Sequence, residues 1–393
     1  MPKKANGFKI NISILSGVGF MELSFYMPSR VIFGTGAAQE CARRFAALGK
    51  RCLIVTGGSS ARLCGALDDI MGVLDSVGII YDIFDKIRQN PTVESCRQAG
   101  IAANSMGADF IVGIGGGSPL DAAKATAVFA ANPKLDEGGL YSLRWGKSPL
   151  PVVLVGTTAG TGSEVTSVAV LTDSSGRKRS IRDDRIYPVF SLSDPSYTAT
   201  LSGYFTRSTA VDAMAHCLES YFNKTADTMS RAPASYGACV LFEQLKKLAD
   251  GTLPGKEERI ALYSGSILGG TAISSTGTAF PHAMGYFLSE NHGIPHGIAC
   301  AEFLPAFLKH CEKADENGMK TLLRFIGAEL DELIAVIESA IPQDKIVVTD
   351  EERAGLLTRW ENNRGLKKTP GEFGAADADA LIKELFSKGD SLE

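Results

Sequence analysis

This chain of 393 residues has no excess of basic charge: 40 Lys and Arg face 44 Asp and Glu, for a net charge of −4. That balance leaves no electrostatic footprint for nucleic acid or an anionic membrane surface. No apolar run approaches the roughly 20 residues a membrane-spanning helix needs. The eight cysteines are scattered without a Cys-x-x-Cys pair, unlike a zinc ribbon or a dense disulfide framework, and a reducing cytoplasm fits that usage. Internal repeats, coiled-coil heptads and low-complexity linkers are also missing. What is left is small-molecule chemistry in a chain too long for one compact core, with 45% hydrophobic residues to fill two.

Histidine is scarce too, at five residues, yet three of the five join Asp212 in one pattern: Asp212-x3-His216, then His282-x13-His296. Residues four apart on a helix share a face, so Asp212 and His216 in STAVDAMAHCLESYF would aim at a common point. One carboxylate and three imidazoles suit a borderline cation such as Zn2+ or Fe2+, whereas a calcium or magnesium site would be dominated by oxygen ligands. Cys217 and Cys300 lie beside these positions, and a small buried hydrophobe is the commoner fate of such a cysteine than a catalytic thiol. His310, outside the pattern, reads as structural.

From residue 30 to 200 short apolar runs alternate with helical patterns: RVIFG, RCLIVTG, ALDDIMGVLDSVG, IIYDIFD, TVESCRQAGIAANSMG, DFIVGIGGG, DAAKATAVFAAN and PLPVVLVG. Such alternation predicts a parallel sheet with helices on both faces. Beyond residue 200 the period becomes helical. The expected organisation is an N-terminal extension at 1–20, an α/β domain at 21–199 and a helical metal-binding domain at 200–393. Asn11, Ser13, Ser16 and Gly17 break the apolar part of the extension, and no small-x-small cleavage site follows, so it does not read as a secretion signal.

Two loops carry the signature of phosphate binding. In DFIVGIGGGSPLDAAK a strand, a glycine turn and a helix bring backbone N–H groups and a helix N-terminus together. Gly115, Gly116 and Gly117 allow close approach, Ser118 can cap, and Pro119 suits a first helical turn. Asp121 has two readings, a capping-box partner of Ser118 or a ligand contact. The run is not a P-loop, since no Lys-Ser/Thr follows. GTTAGTGSEVTS adds hydroxyls at Thr157, Thr158, Thr161 and Ser163 after a second strand. A third turn, Gly57, Gly58, Ser59, Ser60, has no acidic residue to hold a ribose 2′-hydroxyl, and its small residues leave room for a 2′-phosphate, which favours NADP(H) over NAD(H).

With GGGSPLDAAK, TTAGTGSEVT, DAMAHCLESY and HAMGYFLSENHGIPHG in this order and spacing, the chain from about Ser24 onward resembles the iron-containing (group III) alcohol dehydrogenases. It is most similar to their 1,3-propanediol dehydrogenase-like branch, which has GYxL after the third ligand. The resemblance implies a dinucleotide-binding α/β domain with a parallel sheet, an all-α C-terminal domain (dehydroquinate synthase-like architecture) and a cleft between them, in a homo-oligomer. It implies Fe2+ or Zn2+ at Asp212, His216, His282 and His296. Cofactor contacts are implied at Gly116, Gly117, Ser118, Asp121, Thr157, Thr158 and Thr161, with Asn90, Ser163 and Lys178 added; the position of Gly57 is not acidic in this branch, which implies NADP(H). The implied activity is hydride transfer between NAD(P) and a small primary alcohol or diol and its aldehyde. The alternatives are a lyase or cyclase of the dehydroquinate-synthase kind, or a relative that binds metal and nucleotide without turnover. One departure stands out: some relatives carry a relay His four positions after the third ligand, where this chain has Tyr286. His292 could serve instead, although an exposed loop histidine is the simpler reading.

Overall fold

The structure is a computed structural model that describes residues 25–341 and 346–386; the expected extension lies outside them. Eight strands are found among the described residues: β1 (Arg30–Phe33), β2 (Arg51–Thr56), β3 (Ile80–Phe84), β4 (Phe110–Gly115), β5 (Val152–Gly156), β6 (Val168–Thr172), β7 (Lys178–Arg182) and β8 (Phe190–Ser193). Six form one parallel sheet in the order β1-β8-β5-β4-β2-β3. The central strands β4 and β5 are buried at every position, as their unbroken FIVGIG and VVLVG runs require of strands covered on both faces. Alternation sorts neighbours to opposite faces: Leu53 and Val55 pack with helices Val93–Met106 and Gly117–Ala131, while Cys52 and Ile54 pack with helix Ala66–Ser76.

The strand order reverses beside β2, because β3 pairs on one side of it and β4 on the other. A crevice opens at the carboxyl ends of the strands at such a point, and ligands of open α/β sheets bind there. Gly115 at the end of β4 pairs with Gly156 at the end of β5, so the two glycine-rich loops leave the sheet side by side. Two features were not anticipated in sequence: the antiparallel hairpin β6–β7, which folds out around Ser174–Gly176, and the short strand β8, which inserts between β1 and β5. After β8 the chain is helical, beginning with helix Gly203–Phe222, whose N-cap Ser202 accepts a hydrogen bond from the Phe205 amide. This helix is buried on nearly all sides by Thr228–Ala249, Lys256–Thr276 and His296–Ala301. Polar side chains on its inner face therefore have to find partners inside the protein.

Candidate active site

Asp212 and His216 lie one turn apart on helix Gly203–Phe222, His282 in the first turn of helix Phe280–Asn291, and His296 at the start of helix His296–Ala301. Their side chains meet. His282 Nε2 is 3.5 Å and His216 Nε2 3.9 Å from Asp212 Oδ1; the rings of His216 and His282 stack at 4.7 Å, and those of His282 and His296 meet edge to face at 5.2 Å. Gly297 permits the approach of the last helix, since a Cβ there would stand 1.9 Å from the Ser208 carbonyl oxygen. Burial alone would raise the Asp212 carboxyl, but the imidazoles, His216 first, hold it below the usual carboxylate range. Burial lowers His216, with Asp212 opposing the fall, and pushes His296 down to about 3 against the pull of Asp212.

Two observations fit these residues to a divalent metal. Asp212 Oδ1 and His282 Nε2 are buried with no hydrogen-bond partner, which a cation between them would repair. The far nitrogens are anchored: His216 Nδ1 lies 3.2 Å from the Gly160 carbonyl oxygen, and His282 Nδ1 donates to Glu219. This is how a protein fixes the tautomer that turns Nε2 toward a metal. The sequence reading missed Glu219. It is fully buried, and its other oxygen accepts from the Ala279 amide at 2.6 Å. Its signal was the spacing, two helical turns after Asp212 on the same face. The sequence reading also passed over Cys300 as filler. Asp212, His282, His296 and Cys300 each offer one donor atom within 4.8 Å of the others, with Cys300 Sγ 3.7 Å from His296 Nδ1. Burial raises the Cys300 thiol to about 11, which keeps it protonated.

The cluster forms one end of a cavity of about 1060 Å³ that runs to the glycine loops; of the turn residues read in sequence, Gly58, Ser59 and Gly115 do not line it. Ser59 is exposed and forms the N-cap of the one-turn helix Ser60–Leu63. At the glycine-loop end the helix N-cap is Gly116, not Ser118 as expected; the Ser118 hydroxyl instead accepts from the Asn90 amide at 3.2 Å. The capping-box reading of Asp121 fails as well. Its carboxylate accepts from Ser163 Oγ at 2.6 Å and from the Val170 amide at 2.8 Å, tying one glycine loop to the other. Beneath them lies Lys124, fully buried, whose ammonium donates to the Ser163 carbonyl at 2.7 Å, Ser163 Oγ at 2.8 Å and the Val168 carbonyl at 2.7 Å. Burial lowers Lys124 to about 8, and Asp121 and Glu164 limit the fall. Nothing in the sequence distinguished this lysine from a solvated one.

Lys178 sits away from the phosphate turns, with its ammonium 5.5 Å from the centre of the Tyr286 ring. Tyr286 in turn stacks on His296 at 5.3 Å with the rings nearly parallel. His292 is not brought to the cavity: its Nε2 lies 3.3 Å from Glu352, and the side chain is partly covered rather than freely exposed. His310 pairs with the Pro370 carbonyl at 2.7 Å, a structural contact. Cys217 is buried in the helical core.

Known proteins resemble this chain over most of its length. Residues 28–195 match the iron-containing alcohol dehydrogenase family, and residues 206–343 match the C-terminal domain of the Fe-containing alcohol dehydrogenase family. Alcohol dehydrogenase 4 of Schizosaccharomyces pombe is 32% identical over 77% of this chain and 70% of its own length. The 1,3-propanediol dehydrogenase of Citrobacter freundii is 31% identical over 80% of this chain and 82% of its own. The crystal structure of an iron-containing alcohol dehydrogenase from Thermotoga maritima superimposes with a TM-score of 0.85 at 35% identity, covering 92% of this chain and 99% of that one. The chain belongs to the iron-containing alcohol dehydrogenases, in their 1,3-propanediol dehydrogenase-like branch, and is a metal-dependent alcohol dehydrogenase.

Proposed function

We propose that Asp212, His216, His282 and His296 hold the divalent metal, Fe2+ or Zn2+, that the glycine loops hold NADP(H) in preference to NAD(H), and that the substrate is a short primary alcohol or diol and its aldehyde. When bound, the metal supplies Lewis-acid polarisation of the substrate oxygen and the nicotinamide supplies or accepts the hydride. This chain's residues do the rest. Glu219 and the Gly160 carbonyl orient the imidazoles, Gly116 and Gly117 let the dinucleotide phosphates reach backbone N–H groups, and the Lys124–Asp121–Ser163 network fixes one loop against the other. Lys178 and Tyr286 line the cavity beside the cluster, Tyr286 stacked on His296. His292 does not line the cavity, and Tyr286 stands where some relatives carry a relay histidine.

The observation that carries this reading is the pair of unpartnered atoms, Asp212 Oδ1 and His282 Nε2, at the end of a cavity continuous with the glycine turns. The NADP(H) preference is supported by Gly57 and Ser60, which line the cavity and bring no acidic group to it. A homo-oligomer is proposed on the family resemblance, and light scattering after gel filtration tests it. No described helix is long and apolar enough to cross a membrane. The decisive experiment is the initial rate at 340 nm with metal-reconstituted protein, short aldehydes, and NADPH beside NADH. Aldehyde-dependent oxidation that stops with chelator and runs faster with NADPH is the expected result. Product formation without net change in absorbance would favour a lyase or cyclase, and faster oxidation of NADH would overturn the cofactor preference.

A further inference from the structure

The lining of the cleft departs from the composition of the chain. The protein carries a net charge of −4, yet seven cavity-lining side chains are Lys or Arg and only two, Asp121 and Asp212, are carboxylates. Asp212 belongs to the metal cluster, and Asp121 is committed to Ser163 and Val170. Two of the cations have acidic partners of their own: Arg179 faces Asp173 at 3.8 Å and Arg359 holds Glu290 at 2.6 Å. Arg88 adjoins Asn90 beside the phosphate turn, and Lys178 lies over Tyr286. The other three are Arg182, Arg364 and Lys368, and among the described residues none of them forms an ion pair.

These three gather at one place. Arg182 ends β7 and donates to the Ser274 carbonyl at 2.5 Å; Lys368 donates to the Thr276 carbonyl. Both thus stand on the last turn of helix Lys256–Thr276, which leads through Gly277 and Thr278 into the helix that carries His282. Arg364 and Lys368 lie one turn apart on helix Arg364–Lys368, where Gly365 abuts Ala279 and Ala283 on either side of His282 in sequence. Burial lowers the Lys368 ammonium, and the neighbouring Arg182 and Arg364 lower it further, so the cluster repels itself. An anion placed among the three would relieve that repulsion. The glycine turns that would hold the cofactor phosphates are on the carboxyl edge of the sheet, whereas Arg182 from β7 and Arg364 and Lys368 from a C-terminal helix meet beside the last turn of helix Lys256–Thr276.

We propose that Arg182, Arg364 and Lys368 form a subsite for an anionic head group on the substrate, and that the aldehyde reduced here is a short one bearing a tetrahedral oxyanion, a phosphonate or a sulfonate. The proposal rests on the dehydrogenase reading above and narrows it. A carboxylate is satisfied by the fork of a single guanidinium, whereas donors arriving from three separate points match three oxygens. The reaction balances without further reactants: aldehyde, reduced nicotinamide and one proton give alcohol and oxidised nicotinamide, and the head group is unchanged.

The test compares kcat/KM for 2-phosphonoacetaldehyde, sulfoacetaldehyde, succinic semialdehyde and propanal with the metal-loaded enzyme at low and high salt. The tetrahedral anions should exceed propanal by at least about 100-fold, the value of two charge-assisted hydrogen bonds, and salt should shrink that advantage. In Arg364→Gln and Lys368→Gln the ratio of anionic to neutral kcat/KM should fall at least about tenfold, chiefly through KM. Independently of turnover, ethylphosphonate or ethanesulfonate should raise the Tm of the wild type and not of these variants. Reduction of propanal with no anionic preference would overturn the subsite and leave the dehydrogenase standing. Preference for succinic semialdehyde would overturn the head-group class, and variants that raise the KM for NADPH with the aldehyde ratio unchanged would assign the cations to the cofactor. Turnover of none of the aldehydes would remove the dehydrogenase reading and this proposal with it.

Discussion

At the histidine end of the cleft, side chains from three helices converge, and two of them are held from behind, His282 by Glu219 and His216 by the Gly160 carbonyl. At the glycine-loop end side chains have to be missing: a Cβ on Gly117 would meet Thr161 at 2.7 Å, and one on Gly116 would meet Thr158 at 3.0 Å. The first end reads as an inventory of donor groups, the second as backbone kept bare enough for an anion to touch. Loss of an atom should therefore break one end, and gain of an atom the other.

The largest effect is expected from His282→Ala, which should lower kcat/KM by at least about 10³-fold together with the metal content measured by elemental analysis. Full activity in the metal-depleted variant would break the assignment of this end. Lys124→Met deletes the ammonium that ties the two glycine loops and leaves Asp121 without its cation, a change that should cost about 3–5 kcal/mol of stability in denaturant titration. Its pH signature has a definite sign. Folding lowers Lys124 from 10.5 to about 8, so between these values the unfolded chain binds more protons and this residue's contribution to stability rises with pH. The variant should flatten that part of the Tm profile.

Glu219→Gln should weaken metal binding by about 10–100-fold in chelator competition, since the amide no longer carries the charge that strengthens His282 as a donor. Gly117→Ala should raise the KM for the nucleotide about tenfold, with kcat much less affected, because one methyl group displaces Thr161. The smallest effect is expected from Cys300→Ser, which should keep the metal stoichiometry and hold kcat/KM within about threefold. If that variant loses its metal while His216→Ala retains it, the fourth ligand is Cys300 and the roles assigned to the two residues are exchanged.

What could be read in sequence follows the same division. The unbroken apolar runs of β4 and β5 announced a parallel sheet, because a strand covered on both faces has no polar side to show. Asp212 and His216 were legible because helical periodicity puts them on one face, and His282 and His296 because histidine is scarce. Glu219 was not, since a Glu on an otherwise ordinary helix is usually solvated and only the packing of helix Phe280–Asn291 brings Ala279 and His282 to it. The partners of Asp121 were missed for a related reason. Its local capping option through Ser118 was visible, while Ser163 lies 42 residues away. The hairpin β6–β7 was overlooked because β7, KRSIR, carries charge in place of an apolar run and so left VAVLT without an evident partner.

By itself the sequence determined the periods, the glycine turns and the donor types, because these depend on local backbone sterics and on the chemistry of single side chains. The tertiary structure decided which distant groups share a dielectric environment. It buried Lys124 beneath two loops, set Glu219 behind His282, and brought Arg182 on a strand beside Arg364 and Lys368 on a helix. Electrostatic interactions act through space rather than along the chain, so a charge is assigned its partner only when the fold has closed.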